Sequence, residues 1–266
     1  AATHTALANW APKGLVETVS ATWQGPASAP EKYEAKGRIV RLEVASKQPA
    51  GPAVRGATVD FDLTHSGGKA AVAMDNGAFE LARVFEDPLI PVAQLSADLQ
   101  WQIAGQRILV QIPKLKFSNP DVQGEAQLKW QTSEANASRG GGRFPGVLDL
   151  QGNLSRVQGT RVFRYLPKVI LPRVRDYVRE AVQKGTASGV KFRVKGDLYD
   201  MPFADPKLGE FRIAGRFADT TFAYVPRSIA PADSLPWPEL TQMSGELVFD
   251  RLSLQVKDAS GRLAGL

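Results

Sequence analysis

Three pairs of acids stand close enough in the chain to suggest hydrolytic chemistry: Glu86 with Asp87, Asp197 with Asp200, and Glu246 with Asp250. A β-sandwich glycosidase needs two carboxylates facing one cleft, one to protonate the leaving group and one to attack or to activate water. These pairs meet that need by proximity along the chain alone. Asp197 and Asp200 lie in "KGDLYDMPF", which reads as a turn in which Asp accepts bonds from nearby backbone. His4 and His65 stand alone, without the spacing of a zinc motif such as HExxH. "SGGK" (Ser66 to Lys69) lacks the first glycine of a phosphate-binding loop and joins strands instead of opening a helix. Neither a GxSxG elbow nor a GxGxxG turn occurs. The chain has no cysteine, so thiolate zinc sites, cysteine nucleophiles and disulfides are excluded. The expectation is a protein without catalytic residues, metal or cofactor.

The elements that would have to position any site read as strands. "LSADLQWQI" places Leu95, Ala97, Leu99, Trp101 and Ile103 on one face and Ser96, Asp98, Gln100 and Gln102 on the other. "VKFRVK" sets Val190, Phe192 and Val194 against Lys191, Arg193 and Lys195, and "FRIAGRF" sets Phe211, Ile213 and Phe217 against Arg212 and Arg216. "LSLQVK" sets Leu252, Leu254 and Val256 against Ser253, Gln255 and Lys257. "RILVQIPKLKF" alternates more loosely through Ile108, Val110 and Ile112. A period of two marks a sheet with one dry and one wet face. Gly and Pro clusters such as "KQPAGPAVRG" and "NASRGGGRFPG" punctuate the runs, predicting about 14 to 18 mostly antiparallel strands in meander order. The polar, Gly-rich stretch 133–146 reads as a surface loop within one continuous sheet.

One segment breaks the rhythm. In "RYLPKVILPRVRDYVREAVQKG", Val174, Tyr177, Val178, Ala181 and Val182 follow the spacing of one helical face. Pro172 suits the first turn, Gly185 the C-terminal stop, and Glu180 with Lys184 an i, i+4 pair. The predicted helix spans 171–184, with Arg173, Arg175 and Arg179 on a basic outer face. One such helix cannot cover the dry faces of so many strands. The sheet must fold on itself or curl into an apolar trough.

With 266 residues, 43% hydrophobic and 23% charged, the chain can bury a large core. No apolar run reaches the ~18 residues of a membrane-spanning helix, and both ends read as cut from something longer. The net charge of +6 is uneven: residues 156–216 hold 14 Lys/Arg against 6 Asp/Glu, while the rest holds 19 against 21. Nucleic-acid binding fits poorly, because the aromatics follow the apolar parity of their strands and do not interleave with the cations. The dry face carries Trp101, Phe192, Phe211, Phe217 and Phe249. Left open, it would be a binding surface. Two acyl chains of about 30 methylenes in total, at about 0.8 kcal/mol each, would recover about 24 kcal/mol there. The reading from another class is a closed β-sandwich or solenoid scaffold whose surface loops bind other proteins.

"NWAPKG" (Asn9 to Gly14), "RYLP" (Arg164 to Pro167), "REAVQKG" (Arg179 to Gly185), "MPF" (Met201 to Phe203), "GEF" (Gly209 to Phe211), "WPEL" (Trp237 to Leu240) and "GELVFD" (Gly245 to Asp250) occur in this order. The succession resembles the central region of the YhdP-type proteins, members of the AsmA-like group of Gram-negative envelopes, over essentially the whole chain. The resemblance implies a mainly β fold: an elongated, twisted sheet curled into a taco-like apolar groove of the bridge-like lipid-transfer kind. It further implies a periplasmic body anchored in the inner membrane through a part absent from this chain. The full protein would contact both membranes and move phospholipid toward the outer one, supporting its permeability barrier, without catalytic residues or nucleic acid. On strand alternation, the groove residues are Leu99, Trp101, Ile103, Ile108, Val110, Ile112, Val190, Phe192, Val194, Phe211, Ile213, Phe217, Leu252 and Leu254. Arg173, Arg175 and Arg179 are the candidate headgroup contacts.

Overall fold

The computed structural model describes residues 10, 12–26, 28, 30–47, 50–134, 136 and 138–263. They form one sheet whose strands follow each other in chain order. The first six are β1 (Lys13–Gln24), β2 (Lys32–Ala45), β3 (Ala53–Thr64), β4 (Gly67–Glu80), β5 (Leu89–Ala104) and β6 (Arg107–Ser118). The second six are β7 (Val122–Gln131), β8 (Val147–Gln158), β9 (Val182–Asp197), β10 (Gly209–Phe222), β11 (Leu240–Asp250) and β12 (Ser253–Leu263). Every neighbouring pair is antiparallel, and β1 and β12 stay apart as open edges, so the sheet is a meander and not a barrel. Among the described residues the strands number 12, fewer than the sequence suggested, because several run far beyond the usual 5–6 residues. β5, for example, absorbs 16 residues into one strand.

The two faces differ as the alternation requires. On the outer face, charges meet across strands: Arg38 pairs with Glu17 at 3.0 Å and Asp60 at 2.7 Å, and Arg193 with Asp149 at 2.5 Å and Glu210 at 3.6 Å. Exposed pairs of this kind each add well under ~1 kcal/mol. Their larger effect is to keep this face in water. The inner face is apolar and half-buried along most strands. Nine of the eleven strand pairs contain register shifts, and Arg41, Asn76, Asp219, Gln242 and Asp258 take positive φ inside their strands. Such bulges bend and twist a sheet, which is how one this wide curls.

Among the described residues, no second layer closes over the inner face. The accessible surface is 16506 Å², against about 11,000 Å² for a compact monomer of this mass. Full burial of apolar side chains is local. One cluster gathers Ala57, Met74 and Val92 with Leu42, Val59 and Leu95 around them. A closed sandwich would instead bury the inward residues of all its strands.

The connections fall on two rims. One rim carries the β2–β3 connection, 81–88, 119–121, 159–181 and 223–239; the other carries the β1–β2 connection, 65–66, 105–106, the β7–β8 connection, 198–208 and 251–252. The long connection 159–181 starts with a 3-10 turn (Gly159–Tyr165) and ends in α1 (Pro172–Ala181), with Pro172 in its first turn. The helix is shorter than its periodicity predicted. Val182 already pairs with Phe222 and Lys184 with Thr221, so ladder bonds replace the last helical turn. Lys184 accordingly meets Asp219 at 2.7 Å instead of Glu180, and Gly185 sits within β9.

Candidate functional site

The inner face is built from direct cross-strand partners. Val16, Ile39, Val59, Val72, Ala97 and Leu115 face one another in turn from β1 to β6. Ala126, Gly152, Phe192, Ile213, Phe249 and Leu254 continue the line from β7 to β12. One apolar or glycine residue per strand thus forms a row across all 12 strands, about 50 Å long at the usual ~4.8 Å spacing. A parallel row passes through Ile112, Leu128, Leu150, Val194 and Phe211, with Leu99 at its β5 end, at the register shift between β5 and β6. A third holds Trp101, Val110, Trp130 and Leu148. None of the three rows contains a charged residue. The arrangement defines an open apolar trough running across the strands.

Most residues singled out from the sequence meet on this face. Phe192, Ile213 and Leu254 belong to the first row; Leu99, Ile112, Val194 and Phe211 to the second; Trp101 and Val110 to the third. Ile103 and Ile108 pair beside the β5–β6 turn, while Val190 and Phe217 lie nearer the rim that carries α1. Leu252 does not belong to a row. It occupies the turn between β11 and β12, 73% exposed, because the hairpin reverses one residue later than the alternation implied. Sequence reasoning passed over Val59, Phe61 and Leu63, although "TVDFDLT" carries the same alternation as the strands it did read.

The basic face assigned to the helix is largely committed to the protein. Arg175 is only 7% exposed and donates to Glu86 at 3.1 Å and to the carbonyls of Lys168 and Ile170. The irregular lead-in leaves those carbonyls without ladder partners, and the guanidinium supplies the donors. Arg179 pairs with Asp176 at 3.0 Å and lies over the ring of Phe163. Arg173 alone of the three is exposed with no ion pair among the described residues. Arg175 and Arg179 are therefore structural side chains that tie the 159–181 connection to the 81–88 loop.

A second set of contacts extends that tie. Arg164 reaches Asp87 at 2.8 Å and Asp121 at 2.7 Å, and the Tyr165 hydroxyl joins Asp121 at 3.1 Å while accepting from Asn119 at 3.0 Å. Burial raises the Tyr165 pKa, so the phenol stays protonated and donates. Burial alone would lower the Arg164 pKa, but Asp87 and Asp121 outweigh it, and the net shift is upward. Tyr177 adds a bond from its hydroxyl to the Tyr224 carbonyl at 3.2 Å. The connection between β8 and β9 is thus a brace linking the β4–β5, β6–β7 and β10–β11 connections along one rim.

Five of the six paired acids have partners of their own, Glu246 being the exception among the described residues. On the opposite rim, Asp197 accepts from Ser133 Oγ at 2.9 Å and from the Tyr199 backbone N–H at 3.0 Å, and Asp200 meets Arg139 at 3.1 Å. Glu86 and Asp87 serve the brace, and Asp250 accepts from Arg212 and Arg251. His65 packs edge-on to Tyr33, and His4 lies outside the described residues. Burial acts to raise the Asp197 pKa, but the bonds from Tyr199, Ser138 and Ser133 prevail and lower it. A depressed carboxylate stabilises the fold above its unfolded pKa, and that contribution is lost as the pH falls through the folded value. Asp197→Ala is expected to cost about 1 kcal/mol at pH 7. The difference from the parent should shrink in acid, as urea unfolding at the two pH values would show.

A single curled antiparallel sheet with braced rims and one uncharged apolar face, uncovered among the described residues, defines an open β-groove protein. The chain belongs to the family described as YhdP protein, which matches residues 1–266. Neither a curated protein nor a solved structure matches the chain.

Proposed function

We propose that the chain is a segment of a periplasmic lipid-transfer protein whose apolar trough carries the acyl chains of phospholipids between the inner and outer membranes. The observation that carries the reading is the charge-free row spanning all 12 strands on a face that no second layer covers among the described residues. Its length of about 50 Å exceeds the ~30 Å hydrocarbon core of a bilayer, which is two acyl chains deep. A lipid can therefore enter with its chains still solvated by apolar side chains and move along without meeting a charge. The polar headgroup would remain at the open mouth, in water. The full-length protein would be anchored in the inner membrane and act without cofactor or catalysis. Its service to the cell would be the permeability barrier of the outer membrane.

Native mass spectrometry of the chain purified from a Gram-negative host in mild detergent, with lipid extraction alongside, tests the reading. Bound phospholipid in about molar amounts or more is the expected result. A lipid-free, monodisperse protein would overturn it in favour of a scaffold.

A further inference from the structure

The inner face contains a second regularity that its hydropathy does not express. Five of its aromatic residues stand directly opposite a glycine on the next strand. At one, Phe117 opposite Gly124, the Leu154 side chain lies over the glycine instead. The other four are Phe61 opposite Gly37, Trp101 opposite Gly68, Phe192 opposite Gly152, and Phe217 opposite Gly245. In each of these four pairs the far end of the ring occupies the space that the glycine leaves. The position a Cβ would take lies 2.3 Å from Phe192 Cζ at Gly152, 2.7 Å from Trp101 Cζ2 at Gly68, and 3.0 Å from the Cζ of Phe61 at Gly37 and of Phe217 at Gly245. A ring whose tip reaches the neighbouring strand lies along the sheet and does not stand on it. Phe203, from the 198–208 connection, does the same over Gly196 and Gly209, its ring atoms 2.7 Å and 2.6 Å from the two Cβ positions.

Resting on the lipid-carrying reading, we infer that these glycines are positioning residues that hold the aromatic rings flat and so keep the floor of the trough low and continuous. Large rings give a curled sheet apolar area, but upright rings would divide a trough into compartments. Opposite glycines let the same area lie as paving over which a flexible hydrocarbon chain can slide. The ligand class that suits such a floor is a linear aliphatic chain held without fixed register. A rigid polycyclic ligand would call for shaped pockets between standing side chains.

Gly245→Val tests the inference, because its Cβ has the mildest backbone conflict of the four: 2.9 Å from the Lys257 carbonyl oxygen and 3.1 Å from Ala259 Cα. The added side chain lifts the Phe217 ring into the trough. The probe is a phospholipid with a photoactivatable diazirine near the end of one acyl chain, presented in phosphatidylethanolamine–phosphatidylglycerol vesicles, with labelled peptides mapped by mass spectrometry. In the parent, label is expected on inner-face peptides along the whole sheet. Gly245→Val should reduce labelling of β10–β12 at least threefold and leave β2–β5 unchanged. The double variant Gly245→Val/Phe217→Ala should restore it. Unchanged labelling in the single variant, or no recovery in the double, would overturn the role of the ring. Absence of label from the parent would instead count against lipid carriage itself, so the two failures are distinguishable.

Discussion

Ile213→Asp is expected to empty the trough of lipid while the chain still folds. Ile213 sits in the continuous row between Phe192 and Phe249, half-buried, with water within reach along the open mouth. A carboxylate there can stay hydrated in the lipid-free protein. The folding cost is then the loss of one partly buried aliphatic side chain, about 1–2 kcal/mol. Against an acyl chain the same carboxylate is held in hydrocarbon, where a charge costs about 2.5–3.5 kcal/mol. At ~1.4 kcal/mol per tenfold, loading should fall on the order of 100-fold. Phe192→Asp should behave alike, whereas Lys191→Asp, one residue away on the wet face, should leave loading unchanged. Lipid recovered per mole of protein, measured beside a urea unfolding curve, reads both quantities. Loss of cooperative unfolding in both inner-face variants would mean that the face is a sealed core.

The second large effect belongs to the brace. Asp121 is 5% exposed and holds its charge against Arg164 at 2.7 Å. Arg164→Ala strands that carboxylate with only the Tyr165 hydroxyl as a side-chain donor. Removing one partner of a buried pair costs about 3–5 kcal/mol. The remaining phenol bond puts the expected loss near the lower end, about 3 kcal/mol. Asp121→Asn should cost less, because the amide oxygen still accepts and no uncompensated charge remains. If the connection from β8 to β9 ties the rim together, limited proteolysis of Arg164→Ala should cut first within 159–181 or 81–88. A variant as stable and as protease-resistant as the parent would remove the brace from the account.

The sheet was legible because period-two alternation is a property of each strand by itself. Leu95 to Ile103 and Val190 to Val194 needed no knowledge of their neighbours. Strand count was less legible. Bulges at residues such as Asn76 and Asp219 interrupt the alternation inside a strand and look like its end. The helix ended early for a reason no local pattern contains: Val182 and Lys184 had ladder partners waiting in β10. Arg175 illustrates the limit at the site. Its type and spacing suggested a solvated cation, yet the carbonyls of Lys168 and Ile170, seven and five residues upstream, drew it inward. The glycine–aromatic pairs were invisible for a related reason. Gly152 and Phe192 are far apart in sequence, and only the register of β8 against β9 brings them together.

The most direct measurement exploits two adjacent residues on opposite faces. Leu99 points into the trough and Gln100 away from it, with Asp98 and Gln100 both exposed. A photocrosslinking amino acid at each position in turn, irradiated in living Gram-negative cells, reports what touches each face. A phospholipid adduct is expected at position 99 and none at position 100. Adducts at both positions to the same extent, or a protein adduct in place of lipid at position 99, would contradict lipid carriage.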